Sequence, residues 1–162
     1  MINKTISGIS KLQITMGTVF LIVFFVVVSL QVIFRYVGIS AMWTEEIAQY
    51  SFIWSAFMGG SAMVDHKQHF AFTSIKDRMK GKGKYFYDIA ISLVMLIFVS
   101  VMAVIGWIPV MQFWSHRWIG IPLLKMGFVW LCIPITGITC SVYLIRHICF
   151  DVIALRKGED TK

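Results

Sequence analysis

The sequence predicts an all-α integral membrane fold: four transmembrane helices, both termini in the cytoplasm, and two short amphipathic interfacial helices. Three observations carry this. Hydrophobic residues make up 58% of the chain and charged residues 14%, with a mean hydropathy of +0.78; soluble domains average about 45–50% apolar and about 25% charged. The apolar excess falls into four charge-free runs rather than being spread along the chain. The basic residues gather on alternate sides of those runs, as a multi-pass topology requires. At 162 residues the chain has room for one small bundle, so a single membrane domain is expected over 1–162.

The runs set the elements in order. Lys11 and Arg35 bound the first, predicting a span over 12–35; Glu46 and Asp65 bound the second, predicting 44–64. Asp88 and His116 bound the third, predicting 86–114; Lys125 and Arg146 bound the fourth, predicting 126–147. Each is near or above the roughly 18–20 residues that cross a 30 Å hydrocarbon core. The second is the shortest and the third the longest, so the third is expected to tilt or project. The first run is longer than the roughly 7–15 residues of a signal-peptide core, and no small-residue cleavage site follows it, which reads as an uncleaved membrane helix. Ile2, Ile6 and Ile9 recur at helical spacing beside Lys4 and Lys11, predicting an interfacial helix over 2–11. Phe72, Ile75 and Met79 share a face among Lys76, Arg78 and Lys80, predicting a second over 70–82, ended by Gly81 and Gly83.

Twelve of the fifteen Lys and Arg residues lie in the N-terminal tail, the connection between spans two and three, and the C-terminal tail; only Arg35, Arg117 and Lys125 fall on the other side. The rich side is expected in the cytoplasm. Tyr36, Trp43, Trp114 and Trp118 would then form the outer aromatic belt, and Tyr85, Tyr87 and Tyr143 the inner one. The net charge of +7 is thus a topology signal that meets lipid headgroups, not a nucleic-acid surface. Lys76, Arg78, Lys80, Lys82 and Lys84 are the candidate headgroup contacts. Cys132, Cys140 and Cys149 all lie on the last run, too far apart on one helix for the roughly 7 Å Cα separation of a disulfide. They read as small packing residues, and no CxxC supports redox catalysis.

No ionisable residue lies mid-span, where a charge costs about 2.5–3.5 kcal/mol and marks ion or substrate paths. The polar residues within spans, Ser29, Gln31, Gln49, Gln112, Thr136 and Thr139, suit helix–helix hydrogen bonds. No pair of proline-broken half-helices repeats in inverted positions. By itself the chain is therefore expected neither to translocate an ion or organic acid nor to act as an enzyme. Partner and structural candidates remain. Trp43-Thr44-Glu45-Glu46 opens span two, where the acids either complement the helix dipole or pair with Arg35 across the outer turn or with a partner chain. Ala56, Gly59, Gly60, Ser61 and Ala62 form a small-residue patch for a close helix, internal or from a partner. Trp54 is either a partner contact or a packed core residue. His66, His69, His116 and His147 sit at helix ends, whereas bis-histidine haem in a bundle needs imidazoles facing each other inside it. A haem-bearing anchor of a redox complex is the alternative these histidines raise. A homo-oligomeric exporter is the other, and it lacks the intramembrane acid it would need.

The order of motifs resembles the small, DctQ-like membrane subunit of tripartite ATP-independent periplasmic (TRAP) transporters. The likeness comprises Arg35 closing span one, the WTEE motif at 43–46, Asp65-His66-Lys67-Gln68-His69 after span two, Gly120-Ile121-Pro122, Trp130, Ile133-Pro134-Ile135 and Gly137. It covers nearly the whole chain, departing at Lys125-Met126-Gly127, where the family more often has aromatic residues. The resemblance implies a bacterial inner-membrane protein without cofactors, working with a large elevator-type membrane subunit and a periplasmic substrate-binding protein. In such systems a sodium gradient drives uptake of an organic acid, a dicarboxylate or sialic acid, and the small subunit is a non-catalytic brace.

Overall fold

A computed structural model of the chain describes residues 2–66 and 82–157. Its elements are α1 (Ile2–Val37), α2 (Met42–Asp65), α3 (Lys82–Ile105), α4 (Trp107–Phe113), α5 (Gly127–Trp130) and α6 (Cys132–Lys157). The fold is all-α. Three stretches are apolar and long enough to cross a membrane: Thr5–Val37, Tyr85–Phe113 and Gly127–Leu155. The helix α2 is also long enough, but Gln49, Ser51, Ser55 and Ser61 dilute its charge-free core. It lies antiparallel to α1 along most of its length, through Gly17 against Met58 and Gly59, Phe20 on Trp54, and Phe24 on Phe52.

The turn between α1 and α2 is a Schellman cap. Gly38 takes φ 76°, the Ile39 N–H donates to Phe34 O, and the Gly38 N–H donates to Arg35 O. A residue with a side chain is strained in that left-handed position.

The apolar run 85–113 breaks at Gly106, between α3 and α4. Pro109 has no N–H for the Ile105 carbonyl, and its ring crowds that carbonyl. Pro134 stands in the same relation to Trp130, where α5 gives way to α6. The two breaks pack on each other: a Cβ on Gly106 would sit 2.7 Å from Ile133 Cγ2 and 3.2 Å from Pro134 Cδ. Further along the α3–α6 crossing, a Cβ on Gly137 would meet the Ala103 backbone at 2.6 Å.

The two hairpins, α1–α2 and α3–α6, are joined through α6. Ile6, Val64, Val99, Cys140, Tyr143 and Leu144 form the buried core. Beneath it, Gln13 Nε2 donates to Thr139 Oγ1 at 2.9 Å and Tyr143 Oη donates to Gln13 Oε1 at 2.6 Å, tying α1 to α6. Thr136 donates weakly to Phe57 O, and Arg146 pairs with Asp65 at 2.6 Å, tying α2 to α6. Large apolar side chains face outward along the helices, Phe25, Phe98 and Val104 being 61%, 68% and 72% exposed. On a soluble monomer so much exposed apolar surface would be exceptional; in lipid it is the solvated face.

Two expectations are corrected. Residues 2–11 are not a separate interfacial helix but the first turns of α1, with Ile6 and Ser10 buried. An isoleucine face at helical spacing suits headgroups and helix packing equally; here Ile6 packs inside the bundle while Ile9 stays exposed. Tyr143 is not an inner-belt residue: it is fully buried, because its hydroxyl has a partner in Gln13. The predicted interfacial segment's Lys76, Arg78 and Lys80, with Phe72, Ile75 and Met79, lies outside the described residues.

Candidate functional site

The WTEE motif and the loop carrying Gly120-Ile121-Pro122 meet at one end of the bundle. Residues 114–126 fold into a short hairpin-like loop in which Arg117 and Lys125 form an antiparallel bridge. The Trp118 N–H donates to Leu124 O and the Met126 N–H donates to His116 O. Arg117 Nη1 donates to Pro122 O at 2.9 Å, and the Lys125 ammonium lies 5.3 Å over the Trp114 ring.

Glu46 clasps this loop. Its two carboxylate oxygens accept the N–H groups of Ile119 at 2.7 Å and Gly120 at 2.9 Å. Consecutive backbone N–H groups form a concave anion site, and a carboxylate supplied by another element fills it. Gly120 is required by close approach: a Cβ there would lie 2.6 Å from Trp43 Cα. Thr44 is fully buried and donates to Ala41 O at 2.7 Å, fixing the first turn of α2. Tyr50 meets Trp118 edge-on at 4.5 Å, and Trp43 meets Phe34 at 6.3 Å. Trp43, Thr44 and Glu46 of the WTEE motif therefore position a loop more than seventy residues away.

The remaining candidates fall in different places. Glu46 does not pair with Arg35; its partner is the loop backbone. Arg35 and Glu45 are exposed and line the same cleft, of about 360 Å³, with Gln31, Phe34 and Ser40. Neither makes an ion pair within 4 Å among the described residues. Trp54 is half-buried against Phe20 in the α1–α2 interface. Gly59 and Gly60 have open space where a Cβ would stand, while Gly17, across from Gly59, is in contact. The small-residue patch therefore keeps one open face. Lys82 and Lys84 begin α3.

His116 lies in the hairpin loop beside Phe113, at the end opposite His66 and the buried His147. These histidines do not converge, and the haem alternative gains no support. Among the described residues no nucleophile, base and acid are brought together in a cleft. The site can hydrogen-bond, pair charges and pack; it holds two hairpins together and leaves Arg35 and Glu45 exposed.

Sequence reading missed the Glu46–loop clasp, the Gln13–Tyr143–Thr139 network and the Asp65–Arg146 pair. Gln13 carried a signal in hindsight, as an amide two residues inside an apolar run. The clasp carried none, because its donors are backbone groups.

Replacing Glu46 with alanine leaves two N–H groups without their acceptor. Hydrogen bonds to a charged group contribute about 1.5–3 kcal/mol, and Ile119 is exposed, so a loss of about 2 kcal/mol is expected. Faster amide exchange at Ile119 and Gly120 should accompany it in detergent-solubilised protein. Glu45→Ala should leave both the stability and the exchange of the isolated chain unchanged.

Comparison with known proteins agrees with this architecture. A family model described as "Tripartite ATP-independent periplasmic transporters, DctQ component" matches residues 24–153, from α1 through α6. A relative from Haemophilus influenzae, named as a TRAP transporter small permease protein, is 29% identical over 137 residues, covering 83% of each chain. The matched residues include both halves of the clasp and both proline breaks, and the chain belongs to the DctQ-component family of TRAP transporters.

Proposed function

We propose that this chain is the non-catalytic scaffold subunit of a sodium-driven, binding-protein-dependent transporter for an organic acid of the sialic-acid or C4-dicarboxylate class. It braces a large elevator-type membrane subunit that carries the substrate and sodium sites. The carrying observation is that the polar side chains at the helix and loop contacts are committed to internal partners. Gln13 holds Tyr143 and Thr139, Arg146 holds Asp65, and Glu46 holds the outer loop. An anionic substrate between these helices would have to break such ties or lose its hydration unreplaced, at high cost. A static brace needs the opposite properties: internal ties between its helices and apolar faces outside. The open sides of Gly59 and Gly60 towards one end of α2, Trp54 midway along it, and Arg35, Trp43 and Glu45 at its other end are the proposed contact candidates for the large subunit. The periplasmic substrate-binding protein completes the assembly.

In this reading the chain lies in the bacterial inner membrane with four spans and both termini cytoplasmic. The packing of α2 against α1 supports α2 as the fourth span despite its polarity. The Glu46 clasp is then periplasmic, and Lys76, Arg78, Lys80, Lys82 and Lys84 lie at the cytoplasmic headgroups, each attracted to anionic lipid by about 1 kcal/mol. In a cysteine-free background, a cysteine at Ile39 should react with an impermeant maleimide in intact cells, and one at Lys80 only after permeabilisation. The reverse pattern overturns the orientation.

A further inference from the structure

The loop between α4 and α5 carries an unusual combination. Its tip is apolar and exposed, with Ile119 at 76% and Leu123 at 85%. Its base is cationic: neither Arg117 nor Lys125 has a carboxylate partner among the described residues. Its backbone is partly closed on itself, through Trp118 N–H to Leu124 O, Leu124 N–H to Ile121 O and Met126 N–H to His116 O. Pro122 has no N–H to satisfy, and its carbonyl accepts from Arg117. Such pairing lowers the cost of bringing the loop to the headgroup boundary, where water and headgroups meet the groups left open.

The clasp also fixes the depth of this loop. Ile119 and Gly120 are held by Glu46, on the second turn of α2. From Glu46 to Asp65 the helix rises about 28 Å at 1.5 Å per residue, close to the 30 Å hydrocarbon thickness. The two acids therefore mark opposite edges of the apolar slab, and the hairpin is pinned level with one of them. Trp43 and Trp114 stand at the same end, as interfacial tryptophans do.

We propose that the 117–125 hairpin is a membrane-surface insert. Ile119 and Leu123 enter the acyl boundary of the adjacent leaflet, while Arg117 and Lys125 meet lipid phosphates at its base. Apolar side chains beside cations are the composition of an interfacial anchor. The hairpin then holds the bundle at a set depth, and Glu46 transmits that constraint to α2. The inference rests on α2 crossing the membrane, as proposed above; the identity of the leaflet follows from the orientation.

The test places a nitroxide on a cysteine at Leu123, in a background whose three native cysteines are alanine. The full chain is assembled with its large subunit in phosphatidylethanolamine/phosphatidylglycerol vesicles. Collision with oxygen relative to a water-soluble nickel chelate reads depth. The ratio at Leu123 should be several-fold higher than at Ile39 in the α1–α2 turn, and Ile119 should give the same result should the Leu123 variant not assemble. A ratio at both positions equal to that at Ile39 puts the hairpin in water and overturns the proposal. Shielding from both reagents means a protein covers it, and also overturns it. A label at Ala56, midway along α2, separates the premises. Nickel access there shows that α2 does not span, which removes the depth argument and the four-span topology together. Nickel exclusion at Ala56 with nickel access at Leu123 rejects the hairpin proposal alone.

Discussion

Leucine in place of Gly137 is expected to separate α3 from α6 and to leave the chain without a stable bundle. A Cβ at this position would meet Ala103 N at 2.6 Å, its Cα at 2.7 Å and its Cβ at 2.9 Å. Two of these are backbone atoms, which no rotamer change can move. Overpacking of a tight core costs about 1–3 kcal/mol even when side chains can shift. A backbone collision must move a helix, and the Gly106 contact with Ile133 and Pro134 on the same crossing would be lost with it. A loss above about 4 kcal/mol is therefore expected, in the range of exceptional single substitutions. It would be read as loss of the folded species in size-exclusion chromatography and thermal unfolding. Gly60→Leu is the matched contrast. No atom lies within 4 Å of a Cβ there, so the isolated chain should keep its stability while co-purification with the large subunit falls. Loss of stability in the Gly60 variant would show that its face is already filled from within.

Removing Arg146 should be the next most damaging change. Its Nη2 lies 2.6 Å from Asp65 Oδ1, and the two side chains are 20% and 8% exposed. Truncation leaves a carboxylate nearly enclosed at the end of α2. Breaking a buried pair costs about 3–5 kcal/mol; Arg146 is a fifth exposed, so about 3 kcal/mol is expected for Arg146→Ala. Asp65→Asn should cost less, since the guanidinium can reach water and also lies 3.4 Å from His147 Nε2. The double exchange, Asp65→Arg with Arg146→Asp, should recover part of the loss. Equal damage from both single variants with no recovery would mean that the pair does not join α2 to α6.

The long helices were legible because charge-free runs mark apolar stretches, and three of them, Thr5–Val37, Tyr85–Phe113 and Gly127–Leu155, are apolar and long enough to cross a membrane. Where the runs stop was clear; what covers each face was not. The periodic Ile2, Ile6 and Ile9 looked interfacial, yet α1 continues through them and Ile6 joins Val64 and Tyr143 in the buried core. Adjacent glycines drew attention to Gly59 and Gly60, but the glycines where a side chain would collide with a neighbouring element are Gly106, Gly120, Gly127 and Gly137, each isolated in sequence. Close approach depends on the partner element, which local composition does not encode. Pro109 and Pro134 did carry a readable signal, since a missing N–H must interrupt a helix one turn earlier. The WTEE motif was recognisable as unusual, and nearness in sequence suggested Arg35 as its partner. The observed partner of Glu46 is a pair of backbone N–H groups in a distant loop, which no side-chain pattern can announce.

The central claim is that this bundle braces a carrier and carries nothing itself. The direct measurement is uptake of labelled sialic acid and of a C4-dicarboxylate into proteoliposomes under an inward sodium gradient. Three preparations are compared, each with the periplasmic binding protein outside: this chain alone, the large subunit alone, and the two together. The account predicts sodium-dependent uptake of one of these acids only when both membrane chains are present. Robust uptake by this chain alone, or full uptake by the large subunit without it, would contradict the account.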